Sequence, residues 1–180
     1  GVGGIELGFM QAGFKVLWAN EIDKSCAVTY KANYDHTLYE KSINDLSGKE
    51  LEPVDILCGG FPCQAFSIAG YRKGFEDERG NVFFEIIRLI KELKYKPKVL
   101  FLENVKNLKS HDKGNTFRRI CEEIYKLDYS IFSDVLNTAD YTNIPHNRER
   151  TFLICFLNEK DWDFNPKKNK YSRDFSENFP

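Results

Sequence analysis

The apolar run Val54-Asp55-Ile56-Leu57-Cys58 leads directly into Gly59-Gly60-Phe61-Pro62-Cys63-Gln64-Ala65-Phe66-Ser67, and this junction constrains the fold more than any other stretch. The run reads as a buried strand. Two glycines after it allow a sharp turn and close backbone approach. Pro62 fixes the backbone just before Cys63 and confines Phe61 to extended conformations. A cysteine is therefore expected on a stiffened turn at the carboxyl end of a strand, where open α/β sheets bind ligands. Most cysteines are simply small buried apolar residues. A nucleophile instead needs its sulfur free of steric cover, and this setting admits both readings of Cys63.

Strands and helices alternate along the rest of the chain. Gly1, Gly3 and Gly4 form a tight turn, and Ile5, Leu7, Phe9 and Met10 begin a helix that ends near Gly13. A helix entered from a glycine turn favours a nucleotide-like ligand, with a plain loop as the alternative. Residues 15–20 read as a strand with Glu21 at its carboxyl end. That is the place of an acid that binds ribose hydroxyls, or of an ordinary exposed carboxylate. A helix follows over residues 23–33, capped by Asp23, and residues 39–46 read as a short strand and turn. Residues 82–93 carry a helical apolar face, and residues 97–102 form a buried strand that delivers Glu103-Asn104 to the sheet edge of Cys63. An amphipathic helix over 116–127 precedes two strands, 130–136 and 151–157, able to pair antiparallel. This order predicts an α/β fold, with a mostly parallel doubly wound sheet and an antiparallel pair at its C-terminal end.

Two polar stretches interrupt the pattern. Residues 69–80 are long and glycine-punctuated, either a surface loop or a lid that brings Arg72, Lys73 and Arg79 near phosphates. In strand geometry Arg148 and Arg150 face the same way. Two guanidinium groups on one face suit a phosphate or a planar base edge, and a solvated charge pattern with Glu149 is the plainer reading.

The 180 residues suffice for one domain with a good core. A net charge of −1 gives no global sign of nucleic-acid binding, so such a partner needs a local basic surface or further chain. No run approaches the roughly 18 apolar residues of a membrane span. The five cysteines are odd in number, follow no zinc spacing and accompany no secretory signal, which points to reduced thiols in a cytoplasm and to no metal site.

Four blocks, in order, resemble motifs of the DNA (cytosine-5) methyltransferase family. They are Gly1-Val2-Gly3-Gly4-Ile5-Glu6-Leu7-Gly8-Phe9, Gly60-Phe61-Pro62-Cys63-Gln64-Ala65-Phe66-Ser67, Glu103-Asn104-Val105 and Pro145-His146-Asn147-Arg148-Glu149-Arg150. The last departs from the family at His146, where a Gln is usual. The resemblance implies a Rossmann-like fold that uses S-adenosylmethionine. It implies a catalytic set of Cys63, Glu103, Arg148 and Arg150 acting on a cytosine flipped out of duplex DNA. It assigns the cofactor to Gly1, Gly3, Gly4, Glu21, Ile22, Pro62 and Val82, with Ile22 packed on the adenine. Ser42-Ile43 stands where the family tends to have Asp-Ile, and Asp45 is the alternative contact.

The Gly60-Phe61-Pro62-Cys63 form is closer to bacterial members than to the RNA-modifying branch, which tends to have Pro-Pro-Cys. This implies a monomeric enzyme of the bacterial cytoplasm, in a restriction–modification system with a cognate endonuclease. The alternatives are a tRNA cytosine-5 methyltransferase, a non-catalytic cofactor-binding or regulatory remnant, and one half of a split enzyme. Residues 1–157 are expected to be the cofactor-binding and catalytic domain, begun within its first motif. Residues 158–180 are expected to be a polar linker toward a target-recognition domain. Alone, these 180 residues are expected to bind cofactor weakly and to methylate no unique sequence.

Overall fold

A computed structural model describes residues 1–62 and 78–158, without the side chains of 78–81. Cys63, the stretch with Arg72 and Lys73, the side chain of Arg79 and the polar segment 159–180 lie outside the described residues. Strands β1 (Trp18–Asn20) and β2 (Thr37–Tyr39) pair in parallel, from Trp18 opposite Thr37 to Asn20 opposite Tyr39. Strands β3 (Ile56–Gly60), β4 (Val99–Val105), β5 (Tyr129–Asn137) and β6 (Glu149–Leu157) form a second sheet in the order β3-β4-β6-β5. β3 and β4 are parallel, and β6 lies between β4 and β5, antiparallel to both. The α/β class and the C-terminal antiparallel pair therefore hold.

Helix α1 spans Gly4–Gln11 and α2 spans Lys24–Asn33. As the sequence predicts, Asp23 caps α2, its carboxylate accepting from the Cys26 N–H at 2.8 Å. α3 is Glu78–Glu92, α4 is Asn115–Tyr125 and the short α5 is Thr138–Tyr141. Among the described residues no helix is long and apolar enough to cross a membrane.

Several boundaries differ from the sequence reading, and for one physical reason. Periodicity follows side chains, whereas a strand ends where its hydrogen-bond partners end. Gly59 and Gly60 are not a turn: they continue β3, opposite Leu102 and Glu103, and the chain leaves the sheet only at Phe61-Pro62. Glu103 and Asn104 do not follow β4 but lie within it, because β6 continues alongside through Thr151 and Arg150. The strand expected over 15–20 is only Trp18–Asn20, matched to its three-residue partner. The strand expected from residue 39 ends there, and a 3-10 turn, Ile43–Asp45, follows.

The main core gathers Leu100 and Leu102 of β4, Phe83, Ile86, Ile87 and Ile90 of α3, and Ile120 and Ile124 of α4. The last two recur at the spacing of four that places residues on one helical face. Each such side chain contributes about 1.5–3 kcal/mol when removed from water. A second cluster, Leu46, Leu51, Leu89 and Leu93, packs with Trp18, Tyr39 and Ile43. α3 supplies residues to both clusters and so joins the small sheet to the large one.

Candidate active site

A groove of about 1240 Å³ runs between the small sheet and β3. Its lining comes from the glycine turn, from residues 14–22, from Ser42, Ile43, Asn44 and Leu46, from residues 53–60 and Pro62, from one face of α3, and from Glu103 and Arg148.

At one end Gly3 is the N-cap of α1 in the left-handed region, with φ +94°. A Cβ there would lie 2.2 Å from the Tyr34 ring, so only glycine fits. The Tyr34 hydroxyl donates to the Gly3 carbonyl at 2.6 Å and fixes the turn. Glu21 follows β1, and its side chain is largely buried. Its Oε1 accepts from the Asp23 N–H at 2.7 Å, while Oε2 faces the amino group of Gly1. Ile22 is 69% exposed and lines the groove. Ser42, Ile43 and Val82 line it too, whereas Asp45, on the same 3-10 turn as Ile43, is not among the lining residues.

At the other end the sheet register assembles a charged cluster. Glu103 lies opposite Phe152, and Arg150 lies opposite Val105, so Glu103 and Arg150 are diagonal neighbours on one face. Arg150 Nε is 3.1 Å from Glu103 Oε1, and Arg148 Nη2 is 3.8 Å from the same oxygen. Glu103 Oε2 points toward Gly60, 3.7 Å from where a Cβ would stand. The structure thus brings Glu103, Arg148 and Arg150 together. The Glu149 carboxylate pairs with Lys106 at 2.5 Å, while the Glu149 carbonyl accepts from Arg150 Nη1 at 2.8 Å.

Supporting residues to which the sequence assigned no role hold this cluster. Asn104 is 2% exposed, and its side-chain amide donates to the Phe61 carbonyl at 2.7 Å, tying β4 to the turn at Pro62. Asn137 accepts from the Arg148 N–H at 3.1 Å, and the Thr138 N–H donates to the Arg148 carbonyl at 3.0 Å. In the sequence Asn104 is marked by its place after the apolar run 99–102 and within the Glu103-Asn104-Val105 block. Nothing local marks Tyr34, whose partner Gly3 is distant in sequence, whereas Asn137 also caps α5 by accepting from the Ala139 N–H at 3.3 Å.

Two other cysteines are poor nucleophiles. Burial, and then the charge of Glu6, push the Cys58 thiol up to about 12, although Cys58 also lines the groove. Burial, with a smaller effect from Cys121, pushes Cys155 up to about 12. A thiol this weakly acidic stays protonated, and therefore unreactive, at neutral pH.

Comparison with known proteins places the chain in a family. The family model described as C-5 cytosine-specific DNA methylase matches residues 1–179. Type II methyltransferase M.Bsp6I of Bacillus sp. (strain RFL6) is 51% identical over 160 residues, covering 88% of this chain and 50% of that protein. Type II methyltransferase M.HhaI of Haemophilus parahaemolyticus is 46% identical over 159 residues, covering 88% of this chain and 47% of that protein. The crystal structure of the S. pombe Dnmt2 methyltransferase is similar in fold, with a TM-score of 0.70 at 19% identity, over 90% of this chain and 49% of that one. The chain spans about half the length of the curated relatives it matches. With the family model matched along nearly its whole length, this chain belongs to the C-5 cytosine-specific DNA methylase family.

Proposed function

We propose that this protein transfers a methyl group from S-adenosylmethionine to carbon 5 of a cytosine flipped out of duplex DNA. The observation that carries the reading is the convergence of Glu103, Arg148 and Arg150 beside the groove that Pro62 borders, in a chain of this family. The groove suits the cofactor by the chemistry of its walls. Gly1, Gly3 and Gly4 leave room at the entry to α1, and Glu21 offers a carboxylate for a ribose diol. Ile22, Ile43 and Val82 offer apolar surface for an adenine. Ser42 is preferred to Asp45 as the polar contact because it borders the groove. Bound there, the cofactor supplies an electrophilic methyl.

The chain's own residues must make carbon 5 of cytosine nucleophilic. The Cys63 thiolate adds to carbon 6, and the ring becomes an enamine whose carbon 5 takes the methyl. Loss of the proton from carbon 5 then expels the thiolate and restores the ring. Pro62, which borders the groove, directly precedes Cys63 in the chain, and Arg150 supplies positive charge that favours a thiolate. Glu103 serves ring nitrogen 3 through its carboxyl group, whose Oε2 faces Gly60. Arg150 holds the base carbonyl, and Arg148 orients the site and its phosphates. A stacked base cannot reach these groups, so the cytosine must leave the helix.

The same reading makes residues 1–157 the cofactor and catalytic unit, with a linker over 158–180 toward a segment that reads the target. It makes the protein a monomer of the bacterial cytoplasm that is paired with an endonuclease. Relatives named type II methyltransferases favour DNA over RNA as substrate. The test is transfer of a radiolabelled methyl group by the full-length protein to random duplex DNA and to an equal RNA pool, followed by nucleoside analysis. Label in 5-methyldeoxycytidine is the expected result. Label in RNA alone would make tRNA methylation the function, and cofactor binding without label would make the protein a regulatory one.

A further inference from the structure

The turn bearing Ser42 and Ile43 is short, and its inner side borders the groove. Its outer side is held by one residue of α3 that does not line the groove. Arg88 Nη2 donates to the carbonyls of Ile43 and Leu46, at 3.0 and 2.9 Å. Its Nη1 donates to both oxygens of Glu92 at 2.9 Å, and its Nε donates to Glu85 at 2.5 Å. Glu92 in turn accepts from the Gly48 N–H at 2.9 Å. The fit at Gly48 is close: a Cβ there would lie 2.7 Å from Cβ of Glu92 and 2.8 Å from the Leu89 carbonyl. The three guanidinium nitrogens therefore hold Glu85, Glu92 and the carbonyls at the two ends of the turn, Ile43 and Leu46, at the same time, which the single nitrogen of a lysine does not reproduce. The hydrogen bond from Arg88, then that from Gly48, hold the Glu92 carboxyl below its ordinary range, as expected of a fully engaged carboxylate.

We propose that Arg88 is a positioning residue for cofactor recognition: by clamping the Ile43 and Leu46 carbonyls to α3 it sets the groove wall that meets the adenosine. This rests on the reading that the groove binds S-adenosylmethionine. The clamp touches neither the methyl nor the base, so its loss weakens cofactor binding and spares the chemical step. Loss of two hydrogen bonds at the turn raises the cofactor KM and Kd about tenfold.

The experiment uses the full-length protein with Arg88→Met, Arg88→Lys and the milder Glu92→Gln, so that one unfolded variant leaves the others informative. Steady-state kinetics give KM for S-adenosylmethionine and kcat at saturating cofactor, and calorimetry gives Kd for S-adenosylhomocysteine. The expected result is about a tenfold rise in both constants for Arg88→Met with kcat within about twofold, and smaller rises for Arg88→Lys and Glu92→Gln. Unchanged constants in variants that fold would overturn the clamp while leaving the cofactor site in place. A loss of kcat at unchanged KM would also overturn it. A wild-type protein that binds neither compound would overturn both the clamp and the site it serves.

Discussion

Asn104 and Tyr34 carry no chemistry of their own, yet each fixes backbone at one end of the groove. Asn104→Asp keeps the shape but puts a carboxylate oxygen where an N–H donates, so the buried Phe61 carbonyl loses its donor. The cost is about 1–3 kcal/mol of stability. Because that carbonyl precedes Pro62, methyl transfer should fall by more than about tenfold at saturating cofactor. Thermal unfolding and single-turnover kinetics check the two effects. The cysteines offer a second prediction. With thiols at about 12, Cys58 and Cys155 are about one part in ten thousand thiolate at pH 8. Iodoacetamide should leave both unmodified in the native protein and label both in guanidinium, as peptide mass mapping would show. Rapid native labelling of Cys58 would contradict the burial described here.

At the scale of elements, side-chain pattern was legible and backbone partnership was not. The apolar runs marked β3 and β4, and the Glu103-Asn104 motif was visible, but their inclusion in β4 was not, because β6 sustains the ladder through Phe152 and Thr151, far along the chain. α3 is similar. Its apolar stripe is plain in the sequence, whereas nothing there marks Arg88, since its carbonyl partners belong to Ile43 and Leu46. The stripe predicts its own test: Ile90 is fully buried, and Ile90→Ala should cost about 2–5 kcal/mol in urea unfolding. α4 predicts a pH dependence. The hydrogen bond from Lys126, aided by the charge of Arg119, holds the Glu123 carboxyl below its ordinary 4.5. A depressed folded value means that stability is present above the unfolded value and is lost as pH falls through the folded one. Stability should therefore be level above about pH 5 and decline below about 4.5, less steeply in Glu123→Gln. A decline of equal slope in that variant would assign the acid sensitivity elsewhere.

For the whole molecule, the α/β alternation and the four ordered blocks made the fold class and family legible, because both depend on order along the chain. The groove was less so. Its walls come from two sheets joined through α3, and that juxtaposition exists only once the clusters around Leu89 and Ile90 have packed. The central claim concerns what those walls and the Glu103 cluster do together with Cys63. The most direct measurement mixes the full-length protein with S-adenosylmethionine and a duplex pool carrying 5-fluorocytosine. Fluorine stands in place of the proton that must leave, so the addition product at carbon 6 persists and can be weighed. The account predicts a cofactor-dependent covalent adduct of protein, base and methyl, mapped to Cys63 and absent in Cys63→Ser. An adduct on another residue, or full methyl transfer by Cys63→Ser, would contradict it.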